Sequence, residues 1–116
     1  MIDYEIIFAK VLIKLFPGAD TRAEVEAVLS EYGTESFHRE GPRVKTAILK
    51  VAGADLDEVK RCTDIACCDY RDILCMAEYP NQSGRWGSKD KDPDMYKRLV
   101  QMDLKQYQEW IDNMTV

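Results

Sequence analysis

Residues 65–80 constrain the fold of this chain most, because two helical patterns meet there and a proline ends the second. Mostly apolar positions upstream recur at steps of three and four, which predicts a helix leading into this stretch; they are Leu56, Val59, Thr63, Ala66 and Tyr70. Asp69 can cap a new helix by accepting hydrogen bonds from the backbone N–H groups that follow it, and Asp72 faces the positive end of its dipole. Pro80 cannot continue that helix, because it lacks an N–H group. We therefore predict a second, short helix from residue 70 to residue 78.

Polar side chains are concentrated around this helix junction. At about 100° per residue, Arg71, Cys75 and Glu78 share one helix face, so an ion pair between Arg71 and Glu78 is geometrically available. One interpretation is that these charges are caps and surface ion pairs, as charged residues at helix ends usually are. The other is a polar recognition patch that binds a peptide or a small ligand, made of Asp69, Arg71, Asp72, Glu78 and Tyr79.

The junction also carries a recognisable residue pattern. It consists of Asp69-Tyr70-Arg71-Asp72-Ile73-Leu74 and Ala77-Glu78-Tyr79-Pro80, with Arg43-Val44, Ala47-Ile48-Leu49-Lys50 and Gly53-Ala54-Asp55-Leu56 upstream. The pattern resembles a group of small bacterial helical proteins with the signature DYRD[IV]L..AEYP, to which no activity is assigned. The resemblance leaves out the first helices and the C-terminal segment. It implies a bacterial, intracellular and helical protein, and it implies no mechanism.

Chain length and charge limit the classes of function. With 116 residues, the chain fits one domain, residues 1–116, with a real hydrophobic core. Its formal net charge is −5, so its long-range field repels phosphate backbones, and nucleic-acid binding is disfavoured. Charged residues interrupt the N-terminal segment where a signal peptide would be apolar, and no apolar run is long enough to span a membrane. We therefore expect a cytoplasmic protein without a membrane partner.

The cysteines and the single histidine do not predict a metal site or a cofactor. The four cysteines are Cys62, Cys67, Cys68 and Cys75, and they contain no CxxC pair. In the cytoplasm we expect them to be free thiols. A redox role stays open, because Cys68 lies at a helix end and Cys75 lies beside Arg71, and both features lower a thiol pKa. His38 would need a nucleophile and an orienting carboxylate to act as a catalytic base, and no catalytic motif occurs, so an enzyme is disfavoured.

Periodicity along the rest of the chain predicts an all-α, single-domain irregular bundle of five or six helices. The first helix ends at Pro17 and is apolar around most of its circumference, so we expect it to be the central one; its apolar residues argue for a strand, but its charges fit a helical period better. Thr21 and Glu24 form a capping-box pattern that opens the second helix, and Asp55 and Glu58 repeat the pattern before the helix that leads into the junction. The third helix is expected to start at Pro42 and to end at Gly53.

The C-terminal third contains one polar loop and one long helix. The loop covers about residues 80–92 and includes Arg85 and Trp86, and Trp86 is either an anchor on the domain or an exposed contact residue. Asp92 and Pro93 then open the last helix. Its apolar stripe either closes the core, or part of it forms the seam of a homodimer or holds a helix of a partner. The stripe comprises Tyr96, Leu99, Val100, Leu104, Tyr107, Trp110, Ile111 and Met114.

Two functions follow from these features. The first is a non-catalytic protein-interaction or regulatory module, which fits the missing catalytic motifs, the polar junction and the aromatic last helix. The second is a small-ligand-binding or accessory enzyme domain that uses the polar junction. The candidate binding residues are Asp69, Arg71, Asp72, Glu78, Tyr79, Arg85 and Trp86, with no catalytic and no metal-binding residue.

Overall fold

The computed structural model describes residues 2–83, 85 and 88–116, and every regular element in that part of the chain is an α-helix. In chain order the helices are α1 (Tyr4–Leu15), α2 (Ala19–Leu29), α3 (Gly41–Ala52), α4 (Leu56–Cys68), α5 (Tyr70–Glu78), α6 (Ser88–Lys91) and α7 (Pro93–Met114). The predicted all-α fold is therefore confirmed. The described part holds seven helices, because a short one, α6, forms within the segment predicted as a loop. Trp86 lies outside the described residues.

Aspartate caps define several of these helices, as the sequence predicted. The side chain of Asp55 accepts hydrogen bonds from the backbone N–H groups of Asp57 and Glu58, and Asp92 accepts one from Met95. Asp69 ends α4 and opens α5 with an extended backbone, which turns the chain between the two helices. The predicted junction at Asp69 is thus confirmed.

The start of α2 differs from the prediction. The helix begins at Ala19 after Gly18, which has no side chain to cap it, so the capping box of Thr21 and Glu24 is wrong. The helix starts one turn early because the chain turns directly after the end of α1. There, the Arg22 guanidinium donates hydrogen bonds to the carbonyl oxygens of Phe16 and Pro17 at 3.1 and 3.2 Å.

The central helix is α3 rather than α1. Helix α3 packs against α1, α4 and α5, and its fully buried residues are Val44, Thr46, Ala47, Ile48 and Leu49. In α1, by contrast, Val11 and Leu12 are buried while Ile6 and Ile13 are 55% and 56% exposed. The prediction that α1 is central is therefore wrong. Apolar residues surround α1, but its neighbours α3 and α7 cover only one side of it.

Helix α7 packs with only part of its predicted apolar stripe. Tyr107 and Ile111 are buried, but Leu104 is 60% exposed. The carboxylate residue Asp103 is only 2% exposed and occupies the buried side of the helix instead. Helix α7 thus contributes a buried charge as well as apolar side chains where it meets α1 and α5. Within the described ranges, none of the helices has the length and apolar character needed to cross a membrane.

Candidate functional site

The structure divides the predicted polar patch between the two ends of α5. Asp69, Arg71 and Asp72 lie at the first end, and Glu78 and Tyr79 lie at the other, a helix of nine residues away, which is about 13 Å. Arg71 forms its ion pair with Asp69, with Nη2 3.0 Å from Oδ2, so the pairing considered between Arg71 and Glu78 does not form. Asp69 can accept this bond because its extended backbone places the carboxylate over the first turn of α5.

The first end of α5 borders a depression of the surface. The exposed ion pair at this end joins Arg71 to Asp69. The hydrogen bond from the Arg71 guanidinium lowers the pKa of the Asp69 carboxyl. The exposed Cys68 also lines this depression of about 260 Å³, together with Phe37 and His38 from the segment between α2 and α3. Asp72 is not among the lining residues. We call this feature the junction depression.

Cys75, near the junction depression, does not have the reactive character considered above. All four cysteines are free thiols, as expected. Burial raises the pKa of Cys75, and Asp72 and Asp69 raise it further, against the opposing effect of Arg71. Burial also raises the pKa of Cys67. The hypothesis that Arg71 activates Cys75 is therefore wrong, because the nearby carboxylates and the apolar surroundings outweigh one guanidinium.

The second end of α5 carries a partly buried network of charges. Glu78 accepts two hydrogen bonds from Arg43, one from Nε at 2.8 Å and one from Nη2 at 2.7 Å. Arg43 Nη2 also donates to the hydroxyl of Tyr79 at 3.0 Å, and Nη1 donates to Glu40 at 3.1 Å. The hydrogen bonds that Arg43 donates to Glu78 raise the pKa of Arg43, which stays protonated. Because Arg43 lies in the first turn of α3, this network joins the central helix to the end of α5.

A second buried carboxylate, Asp103, holds the segment after α5 against α7. Its Oδ1 accepts from the backbone N–H and the side-chain amide of Asn81 at 2.9 and 2.8 Å. Its Oδ2 accepts from the same two groups of Gln82 at 3.1 and 2.9 Å. Four N–H donors thus satisfy one carboxylate, which accounts for its burial in the fold.

A cavity of about 230 Å³ lies between these two networks, where α1, α5 and α7 meet. We call it the tyrosine cavity, because three of its walls are tyrosine side chains. Its lining residues are Ile2, Tyr4, Glu78, Tyr79, Gln82, Val100, Asp103, Leu104 and Tyr107. The cavity combines apolar walls with the edges of two hydrogen-bonded carboxylates, so it offers both packing surface and polar contacts to a bound group.

The hydroxyl of Tyr107 is the chemically unusual group of the tyrosine cavity. The residue is 8% exposed, and its hydroxyl is buried without a hydrogen bond of acceptable geometry among the described residues. Burial, followed by the neighbouring Tyr4 hydroxyl, raises the pKa of Tyr107 well above its ordinary value. The ring itself is well packed, since it stacks on Trp110 at 5.9 Å and lies 6.0 Å from the Lys50 ammonium.

An open, acidic depression of about 610 Å³ adjoins the tyrosine cavity. Ile2 and Tyr4 line both features, so the two form one continuous surface. The remaining lining residues are Asp3, Glu5, Glu40, Pro42 and Arg43. Since the single guanidinium already binds Glu40 and Glu78, the three carboxylates leave a negative surface, which we call the acidic rim.

Most residues of this site were not singled out by the sequence. Glu78 and Tyr79 were, whereas Tyr4, Arg43 and Tyr107 were not. The burial of Asp103 could have been predicted, because this residue lies three positions after Val100 and four before Tyr107, on the apolar face of α7. Arg85 is exposed and lines neither the tyrosine cavity nor the acidic rim.

No metal site emerges among the described residues, which contain no group of three or more His, Cys, Asp or Glu side chains placed to hold an ion. Comparison of the sequence and fold with protein families, with curated proteins and with solved structures gives no match. The resemblance to small bacterial helical proteins stays a prediction.

Proposed function

We propose that this protein is a non-catalytic interaction module that binds a segment of a partner protein through the tyrosine cavity. The observation that carries the proposal is the buried hydroxyl of Tyr107 at the wall of that cavity, which neighbours the Tyr4 hydroxyl but makes no hydrogen bond of acceptable geometry within the described part of the chain. Buried polar groups in native proteins are nearly always paired, because an unpaired one costs about 1–3 kcal/mol. A ligand atom that pairs with this hydroxyl on binding recovers that free energy, which favours the bound state.

The size of the tyrosine cavity supports a side chain as the bound group. Its volume of about 230 Å³ is below the range of about 300–1,000 Å³ that is usual for sites of small molecules. A single bulky side chain of a partner fits this volume, and such buried anchors supply most of the binding energy in protein interfaces. The anchor would be mostly apolar, to match Val100 and Leu104, with one hydrogen-bonding atom that reaches Tyr107.

The acidic rim supports a basic residue next to the anchor. Asp3 and Glu5 lie at the start of α1, and Glu40 lies across from them at the start of α3. A lysine or arginine beside the anchor would face these carboxylates, and charge complementarity of this kind raises the association rate and the specificity. We place the module in the cytoplasm of a bacterium, where four free thiols fit the reducing conditions.

The test is a panel of short peptides that carry Phe, Tyr, Leu or Met at the centre and Lys or Glu on both sides. We expect basic peptides with one preferred anchor to bind the wild type, and Tyr107→Phe to weaken that binding about fivefold to tenfold through one lost hydrogen bond. Tyr70→Phe, at the junction depression, is the matched control and should bind as the wild type does. Absence of binding by every peptide, or equal binding by Tyr107→Phe, would overturn the proposal.

The junction depression supports a second candidate function, the binding of a small polar ligand. The observation in its favour is that Asp69, Arg71 and His38 line one depression. Its volume of about 260 Å³ is also below the range usual for small-molecule sites, so only a correspondingly small ligand would fit. A small-molecule library measured by thermal unfolding tests this function, since a ligand that binds only the folded state raises the melting temperature. A ligand shift that persists unchanged in Arg71→Ala would exclude this site.

A further inference from the structure

The outward side of α1 carries a row of apolar residues that the domain does not cover. Ile6 and Ile13 are 55% and 56% exposed, and Ile2, just before the helix, is 42% exposed. Ala9 lies between them and is also exposed. We call these four residues the α1 outer stripe. Single exposed apolar side chains are ordinary, but a continuous row of them marks an interaction surface.

The positions within the α1 outer stripe are symmetric about a point between residues 7 and 8. Ile6 and Ala9 lie at equal distances from that point, and so do Ile2 and Ile13. A two-fold axis through it would place Ile6 opposite Ala9, and Ile2 opposite Ile13, in two antiparallel copies of the helix. A row with this symmetry matches itself, which is the property that a two-fold interface requires.

Charges beside the stripe match the same antiparallel arrangement. At about 100° per residue, Asp3, Lys10 and Lys14 lie along one edge of the stripe. Antiparallel pairing about the point between residues 7 and 8 places Asp3 between the two lysines of the second copy, about 3 Å from each along the helix axis. A parallel pair would not bring Asp3 beside these lysines, because a two-fold axis that runs along the helices places opposite edges of the two copies against each other.

We propose that the α1 outer stripe is the contact surface for a second copy of this chain, in an antiparallel, two-fold arrangement of α1 against α1. The self-matching apolar row and the complementary edge charges favour a second copy as the partner. Helix α7 offers less for the homodimer seam considered from the sequence, because Tyr107 and Ile111 are buried within their own domain. One short helix covers much less than the roughly 800 Å² per partner of a standard interface, so the dimer is a weak one.

The first test measures mass by sedimentation equilibrium from micromolar to millimolar protein concentration. We expect a reversible monomer–dimer equilibrium for the wild type and a monomer at all concentrations for Ile6→Asp combined with Ile13→Asp. The matched control is Met102→Asp, which changes an exposed apolar residue of α7 and should leave the dimer intact. Circular dichroism checks that each variant is folded. A wild type that stays monomeric at millimolar concentration would overturn the proposal.

The second test determines the orientation of the two helices. Single variants Ile2→Cys and Ile13→Cys are made in a background in which Cys67, Cys68 and Cys75 are replaced by serine, and are then oxidised separately and as a mixture. The antiparallel pair predicts disulfide dimers mainly in the mixture, since residue 2 faces residue 13 of the second copy. Crosslinking of each variant mainly with itself would indicate parallel helices and would contradict the proposal. Ile6 and Ile13 do not line the tyrosine cavity, so the first test does not depend on the proposed peptide site. Ile2 does line that cavity, and the second test therefore reads only the orientation of the two helices.

Discussion

Arg43 and Glu78, 35 residues apart in sequence, form a bidentate ion pair that joins the first turn of α3 to the last turn of α5. The pair lies directly behind the tyrosine cavity, since Glu78 lines the cavity and the hydroxyl of Tyr79 binds the same guanidinium. The carboxylate is nearly buried, with 7% of its side chain exposed. One ion pair therefore positions both an interhelical contact and a wall of the candidate binding site.

Removal of Glu78 should destabilise the protein markedly. Glu78→Ala leaves the partly buried Arg43 with the exposed Glu40 and the Tyr79 hydroxyl as its remaining partners. We expect a loss of about 2–4 kcal/mol in the free energy of unfolding. Urea denaturation measures this loss. Arg71→Ala is the matched control, because it breaks an exposed pair of the same chemistry and should cost at most about 1 kcal/mol. Equal losses for the two variants would contradict a structural role for the Arg43–Glu78 pair.

Removal of the Tyr107 hydroxyl should leave the free protein as stable as the wild type, or more stable. The hydroxyl is buried and unpaired, so Tyr107→Phe removes a desolvated polar group while keeping the packed ring. We expect a gain of up to about 1 kcal/mol in the free energy of unfolding, measured by thermal or urea denaturation. A loss greater than about 1 kcal/mol would show that the hydroxyl has a stabilising partner.

The raised pKa of Tyr107 also predicts how stability changes at alkaline pH. Folding holds this phenol in its protonated form, while the unfolded chain releases the proton near its ordinary value of 10.0. This pKa difference leaves the free energy of unfolding unchanged below that value, and it lowers the free energy of unfolding as the pH rises towards the raised folded pKa. Urea denaturation of the wild type should therefore show falling stability above pH 10.0. The fall should be smaller in Tyr107→Phe, and equal slopes for the two proteins would contradict this assignment.

Neutralisation of Asp103 should loosen the segment after α5. Asp103→Asn places an amide N–H₂ group against N–H donors of Asn81 or Gln82, and we expect a loss of about 2–3 kcal/mol in the free energy of unfolding. Hydrogen exchange should show faster exchange of the backbone N–H groups of Asn81 and Gln82. Asp112→Asn is the matched control, since that exposed carboxylate accepts one bond from Gln108; it should change stability by less than about 0.5 kcal/mol.

Substitution of Gly53 should strain the end of α3. Gly53 caps this helix with φ +65° and ψ −150°, a conformation that is nearly confined to glycine, so Gly53→Ala should destabilise by about 1–3 kcal/mol. Gly41→Ala, at the start of the same helix, is the control. A methyl group there meets no atom within 4 Å and needs no positive φ, so it should be neutral or slightly stabilising. Similar melting temperatures for both variants would argue against this backbone constraint.

Local signals in the sequence predicted the ends of several helices, because capping depends on residues that are close in the chain. Asp55, Asp69 and Asp92 cap the helices for which they were predicted, and Gly53 ends α3. The exception was α2, where Thr21 was taken as the cap. Its start depends on how Arg22 reaches the end of the preceding helix, and a local pattern does not contain that contact.

The candidate site was only partly predictable, because its residues come from four separate helices and from the segment after α5. Glu78 and Tyr79 were singled out for the helix junction, but the structure places them with Tyr4, Arg43 and Tyr107 instead. Periodicity places Glu78 and Arg71 on one helix face. Periodicity does not show that the partner of Glu78 is Arg43, which comes from another helix.

The all-α fold, the junction at Asp69 and the capped helix ends follow from residue periodicity and from hydrogen bonds within a few residues of the chain. The identity of the central helix, the partner of Glu78 and the burial of Asp103 depend on contacts between helices. Composition favours α1 as the central helix, because apolar residues surround most of it, whereas α3 also carries Arg43, Lys45 and Lys50. Only the packing of α1, α4 and α5 around α3 leaves Ile6 and Ile13 of α1 exposed.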